Sequence, residues 1–217
     1  SEPVFQGLLQ NGYLKEVPGI IHHTFYRECQ RCHNRKPAHF GKIPTTTVNQ
    51  FTKNTPINNL SKQIIYCRNC IQMGRVSTAE PLYEWLGPPA KPARIKQPSI
   101  WQGELTFLQS KAANAMMEAI REQSKLLIHA VCGAGKTEML YRGLWIAFRN
   151  GFRVCIATPR ADVVRELAPR LRRDFPTIAV AALYGGSKDI DQAAHLVVAT
   201  THQLLRYKHS FDVMIVD

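Results

Sequence analysis

Residues 130–137 read AVCGAGKT, and both their types and their order suit a phosphate ester. Small side chains at Gly133, Ala134 and Gly135 let successive backbone N–H groups face an anion, and a helix opening at Lys136 adds the positive end of its dipole. The Lys136 ammonium would reach β and γ phosphates, and the Thr137 hydroxyl would ligate Mg²⁺. A second group is the pair of knuckles Cys29-x2-Cys32 and Cys67-x2-Cys70, whose spacing points four thiolates at one tetrahedral Zn²⁺. A third is the run FDVMIVD, residues 211–217, apolar until it closes on the carboxylate of Asp217. Such a run is the form of a buried parallel strand that delivers an acid to the carboxyl edge of a sheet, where it can share Mg²⁺ with Thr137.

Elements that could position these groups are legible from Glu104 onward. LTFLQSKAANAMMEAIREQ (105–123) has helical periodicity, LLIHAV (126–131) reads as a short buried strand, and KTEMLYRGLWIAFRNG (136–151) as a helix closed at Gly151. RVCIAT (153–158) reads as a strand, DVVRELAPRLRRDF (162–175) as a helix jogged at Pro169, and IAVAALY, HLVVAT and DVMIVD as further strands. Strands alternating with crossovers predict an α/β fold with a parallel sheet. The phosphate loop then falls between a strand and a helix, the context such a loop requires.

Residues 1–86 lack long periodic segments and read as small strands and knuckles in a basic four-cysteine module. Residues 87–100 hold four prolines and three basic residues and read as an extended, semi-rigid connector. Residues 101–217 form the α/β domain. The first hundred residues carry 13 Lys/Arg against 5 Asp/Glu, within a formal net charge of +12 for the chain. That excess favours a polyanion through counterion release, against the alternative of a merely solvated basic surface. Arg31, Arg35, Lys36, Lys42, Lys62, Arg68 and Arg75 surround the cysteines; Phe25, Tyr26, Phe40 and Tyr66 read first as core residues, with stacking on unpaired bases as the alternative. No apolar run approaches the roughly 18–20 residues that span a bilayer, and the opening residues lack the pattern of a signal peptide, so a cytoplasmic location is expected.

For the cysteines the alternatives are two disulfides or a redox pair, and a ligand set in which His22, His23, His33 or His39 replaces a cysteine. A closed tetrathiolate would fold the module rather than catalyse. Cys132 and Cys155 read as packing residues, Trp101 and Trp145 as core.

The loop begins at Ala130 where glycine is common, and the string A-x-x-G-x-G-K-T resembles that of superfamily 2 helicases and translocases. GELTFLQSKAANAM, ATPRADVVRELAPRL, LYGGS and VVATTHQLL are similar to four further motifs of that superfamily, in its order. The resemblance implies a RecA-like P-loop domain, the first of two, and a DNA-dependent ATPase. It makes Gln109 the adenine reader and places Thr158, Pro159, Arg160, Gly185, Gly186, Thr200, Thr201 and His202 along a bound strand. Each has a plain reading as well: a solvated glutamine, a surface arginine, a turn at the glycines, a helix cap at the threonines.

CQRCHNR, YCRNCIQMGR, GAGKTEM and ATTHQLLR resemble the ComFA-type late competence ATPases; in PriA-type primosomal helicases, the other family considered, the cysteines follow the motor's first domain. The ComFA resemblance implies a motor that binds single-stranded DNA and powers its import in natural transformation, at the inner face of the cell membrane. It also implies a ComFC-type protein and DprA as partners. Asp217 reads as a break inside a catalytic motif, so the chain by itself is expected to bind nucleotide weakly and to hydrolyse it negligibly. Two other readings are a zinc-dependent docking module with a nucleotide-sensing loop, and a P-loop kinase or GTPase, which the helicase motifs disfavour.

Overall fold

A computed structural model describes residues 2–44, 63–89, 91–131, 133–191 and 193–217, so Lys62 and Cys132 lie outside the described residues. The chain divides into two units, Ser1–Pro88 and Pro89–Asp217.

The first unit is built from short antiparallel pairs. Strand β1 (Leu14–Val17) pairs with β6 (Leu82–Trp85), β2 (Ile20–His22) with β3 (Arg27–Cys29), and β4 (Phe40–Pro44) with β5 (Gln63–Cys67). Helix α1 (Glu2–Gln10) has no counterpart in the sequence-based expectation; Phe5 on it meets Tyr83 of β6 edge-on at 4.8 Å. A 3-10 turn, Arg68–Met73, follows β5. The buried cluster is Ile20, Cys29, Ile65, Cys67, Cys70, Met73 and Val76. Three of these seven are cysteines, so the interior is organised around sulfur rather than around a large apolar core. Phe40 packs against this cluster, as expected, whereas Phe25 is 95% exposed and corrects the core reading given to it. The reason is position: Phe25 sits in the turn between β2 and β3, where no element among the described residues covers it.

The second unit is a partial RecA-like domain. Helices α2 (Phe107–Glu122), α3 (Lys136–Arg149) and α4 (Ala161–Asp174) accompany strands β7 (Val154–Thr158), β8 (Val180–Leu183), β9 (Leu196–Thr200) and β10 (Val213–Val216). The strands lie in the order β10-β7-β9-β8, all parallel, with all five residues of β7 and of β9 buried. Continuous apolar strands are what a sheet covered on both faces needs. Around them pack Leu144, Phe148, Leu171 and Phe175, with Tyr141, Phe175 and Phe148 in successive edge-to-face contacts of 5.2 and 5.7 Å. Trp101 joins this stack at 5.0 Å from Tyr141, in keeping with its reading as a core residue.

One expectation is corrected. LLIHAV (126–131) is not a strand: it carries no regular structure, Leu127 is 92% exposed, and Leu126, Leu127 and Ile128 line a cavity of about 650 Å³ together with residues of β10. Among the described residues β10 pairs only with β7, so its outer edge is open and LLIHAV does not pair with it. Helix α4 runs through Pro169 as one element. The part of the proline-rich stretch that falls in the second unit is hydrogen-bonded within it: Ile95 N–H donates to the Phe148 carbonyl at 3.1 Å, Ser99 Oγ donates to the Asp174 carbonyl at 2.9 Å, and Pro98 is fully buried.

Candidate phosphate loop and sulfur cluster

Because every strand of the sheet is parallel, their carboxyl ends share one edge, and the expected site residues gather there. Thr158 closes β7, Thr200 closes β9 in register with it, Gly185 and Gly186 follow β8, and Asp217 follows β10. The loop before α3 bends through two glycines with left-handed φ, Gly133 at +76° and Gly135 at +71°; Gly135 caps the helix. Side chains other than glycine are disfavoured at both. Helix α3 then starts at Lys136, whose Nζ lies 3.7 Å from Asp217 Oδ1. The two residues are 81 positions apart in sequence, and their side chains are 50% and 55% exposed. Half-exposed opposite charges are held together weakly, so an incoming anion with its cation can separate them. Thr137 lines the same cavity mouth as Lys136 and Asp217.

Gln109 is at the loop but is engaged with it. Its Nε2 donates to the Ala134 carbonyl at 2.9 Å, while its Oε1 accepts from Thr106 N–H at 2.8 Å in a reciprocal capping box. The expected strand-contacting residues divide into two sets. Pro159, Arg160, Gly185, Gly186 and His202 are exposed, Arg160 carrying an ion pair to Asp162, and Thr201 is half-buried. Thr158 and Thr200 are buried at 2% and 7%; Thr158 Oγ1 accepts from Arg160 N–H at 3.5 Å, at the limit of a hydrogen bond.

Sequence reasoning missed a set of polar contacts behind the loop. Glu138, on the first turn of α3, is ion-paired with Arg170 of α4. One turn on, Tyr141 OH donates to Asp174 Oδ2 at 2.5 Å, and Arg173 Nε binds the other oxygen at 2.8 Å. The Arg173 hydrogen bond holds the Asp174 carboxyl below its usual range against the opposing effect of burial, and the Tyr141 hydroxyl adds to it. Burial, with Asp174 second, pushes the Tyr141 hydroxyl up. Partners 32 and 33 residues apart leave no local signal in a sequence.

In the first unit Cys29, Cys32, Cys67 and Cys70 bring their four Sγ atoms within 4.8 Å of one another. The Cys29–Cys70 pair stands at 3.8 Å and the Cys32–Cys67 pair at 3.6 Å. A tetrahedron with Zn–S bonds of about 2.3 Å has edges of about 3.8 Å, whereas a disulfide needs about 2.05 Å. The geometry therefore fits a tetrathiolate metal site and not disulfides. The electrostatics agree: a hydrogen bond from Cys70 draws the Cys29 thiol down, while that same bond pushes Cys70 up and burial pushes Cys67 up. Four thiols so close share one negative charge readily and resist more, the situation a divalent cation relieves. None of His22, His23, His33 and His39 belongs to the group. Cys155 is fully buried in β7 and its thiol is pushed up to about 12 by burial, which is the packing role expected.

Residues 1–84 match the family model described as the competence protein ComFA N-terminal domain, and residues 102–217 match that described as type III restriction enzyme, res subunit. The chain is 43% identical, over its whole length, to the competence protein ComFA of Bacillus subtilis, covering 44% of that protein. It is 41% identical over 152 residues to the ComFA of Streptococcus pneumoniae, a match covering 70% of this chain and 34% of that protein. The chain thus spans less than half the length of these relatives. With a ComFA N-terminal domain, a helicase-like domain of the ATPase class and this identity throughout, the chain belongs to the ComFA family, as its N-terminal portion.

Proposed function

We propose that this chain is the front part of an ATP-dependent motor that grips single-stranded DNA and powers its import in natural transformation. The observation that carries the reading is the meeting of Lys136 and Asp217 across the carboxyl edge of a parallel sheet, at a glycine-bent loop opening a helix. Mg²⁺-ATP would supply a good leaving group and concentrated negative charge. Lys136 would neutralise the β and γ phosphates, backbone N–H groups of Gly133–Gly135 would orient them, and Thr137 and Asp217 would hold the metal. Zn²⁺ would be structural, held by Cys29, Cys32, Cys67 and Cys70 with no ligand position left open for chemistry.

The exposed set Pro159, Arg160, Gly185, Gly186 and His202 would lie along the strand backbone, with Thr201 beside them. Buried Thr158 and Thr200 would act from behind, shaping the loops that reach it. Gln109 would read adenine only after exchanging its contact to Ala134. A ComFC-type protein and DprA as partners, and a place at the inner membrane face, belong to the same proposal. No helix among the described residues is long and apolar enough to cross a membrane.

The test is Lys136→Ala in the full-length protein. ATP turnover stimulated by single-stranded DNA should fall by at least 100-fold, about 2.7 kcal/mol of transition-state stabilisation, while affinity for the DNA is retained. Turnover unchanged by the substitution, or unaffected by DNA in the parent protein, refutes the proposal.

A further inference from the structure

The turn between β2 and β3 carries a stack of rings and cations that the zinc site and the phosphate loop do not use. His23 N–H donates to the Tyr26 carbonyl at 2.8 Å and closes the turn, leaving Thr24 and Phe25 at its tip. Phe25 is 95% exposed, more than any other large hydrophobic side chain described. Behind it the His23 and Tyr26 rings stack at 4.3 Å with 23° between their planes, and the Arg35 guanidinium lies 5.1 Å from the Tyr26 centroid. Glu28, almost buried, holds this arrangement from below: its carboxylate is 3.1 Å from Arg35 Nη2, 3.1 Å from His33 Nδ1 and 3.6 Å from His23 Nε2. Arg27 Nε donates to His22 Nδ1 at 3.3 Å on the other side of the turn. A cavity of about 310 Å³ opens here, and Phe25, Tyr26, Arg27 and Arg35 are among its walls.

An isolated exposed phenylalanine is unremarkable, but one presented beside an ordered ring stack and two arginines offers a flat apolar face with cations at its rim. An unpaired base has the complementary form, a π face for Phe25 and a phosphate for Arg27 or Arg35. A protein partner fits less well. The first 88 residues hold ten Lys/Arg against five Asp/Glu, and the one acid at this site is already surrounded by His23, His33 and Arg35.

We infer that the β2–β3 turn is a stacking site for a base of single-stranded nucleic acid, with Phe25 as its platform. This rests on the reading of the chain as a binder of single strands and adds where the first unit would take hold. Cys29 ends β3, so the sulfur cluster anchors one arm of the turn.

The test uses the 217-residue chain loaded with zinc and a fluorescein-labelled 20-nucleotide oligothymidylate, with affinity read by anisotropy. Phe25→Ala should weaken binding about 5- to 100-fold with unchanged zinc content, the range for loss of one stacked base. Phe25→Trp should keep the affinity, and the added indole emission should be quenched by the oligothymidylate but not by an abasic strand of equal length. A Phe25→Ala affinity within twofold of the parent overturns the assignment and leaves the single-strand reading intact. Equal losses on duplex and single strand also overturn it, since stacking on an open base would not act on a duplex. A parent chain that binds no single strand removes both this inference and the reading beneath it.

Discussion

Replacing Arg153 by methionine should destabilise the second unit by about 3–5 kcal/mol, the cost of stranding one member of a buried ion pair. Arg153 immediately precedes β7, and its side chain is 5% exposed beside an Asp191 side chain at 11%. Each nitrogen of the guanidinium has a partner. Nη2 pairs with Asp191, Nε donates to the Ala194 carbonyl at 3.1 Å, Nη1 donates to the Ser210 carbonyl at 3.2 Å, and the Phe211 ring lies 4.9 Å away. Methionine keeps much of the apolar contact, so the loss isolates the charge and its hydrogen bonds. Burial by itself would raise the Asp191 carboxyl, yet hydrogen bonds from Tyr207, Arg153 and the Ala194 N–H bring it below its usual value. Its stabilisation is therefore present above the unfolded value of about 3.9 and is lost as pH falls through the folded value. Without Arg153 burial prevails, Asp191 takes up its proton at higher pH, and the penalty should be largest at neutral pH and shrink on acidification. Thermal unfolding by circular dichroism at pH 7 should show the transition of the second unit lowered by about 10–20 °C. Adding Asp191→Asn should recover part of that loss, because a neutral amide needs no cation. A penalty under about 1 kcal/mol at pH 7, or a double variant no more stable than the single one, refutes this account.

Removing the metal should act on the other unit. Chelation, or Cys67→Ser, should abolish the cooperative melting of residues 1–88 and leave the transition of the second unit in place, as followed by differential scanning calorimetry with zinc content measured in parallel. Tyr141→Phe should cost about 1.5–3 kcal/mol, the worth of a hydrogen bond to a charged group. Because Tyr141 helps hold the Asp174 carboxyl low, its loss should also move acid unfolding to higher pH, read as the midpoint of a circular dichroism titration.

Much of the site was legible because its parts are local. A glycine-bent loop ahead of Lys136, and two knuckles with two residues between their cysteines, are patterns whose geometry is set by a few adjacent dihedrals. The buried strands at 154–158 and 196–200 were equally plain, since a strand covered on both faces must be apolar throughout. LLIHAV has the same composition and is not a strand, because a strand exists only with a neighbour to pair with, and the neighbour is not encoded in the run itself. Phe25 departs from its core reading for a related reason: composition marks it as apolar, and only the turn geometry leaves it exposed among the described residues. The contacts between α3 and α4 join residues 32 and 33 positions apart, and the Glu28 cluster, though within seven residues, depends on the turn that folds His23, His33 and Arg35 onto one carboxylate; no spacing rule finds either.

The ion pair between Glu138 and Arg170 changes what kind of helix end the phosphate loop is attached to. A helix terminus ordinarily frays, with free energies of opening near zero and fast amide exchange in its first turn. Here the third residue of α3 is tied to the tenth of α4, and Tyr141 one turn on is tied to the fourteenth. Opening the first turn of α3 therefore also costs the contact to α4, whose Val164, Ala168 and Leu171 are buried in the core. The loop is thus presented by a helix end with a side-chain tether to the domain interior, and its first-turn amides should exchange more slowly than those of an untethered terminus.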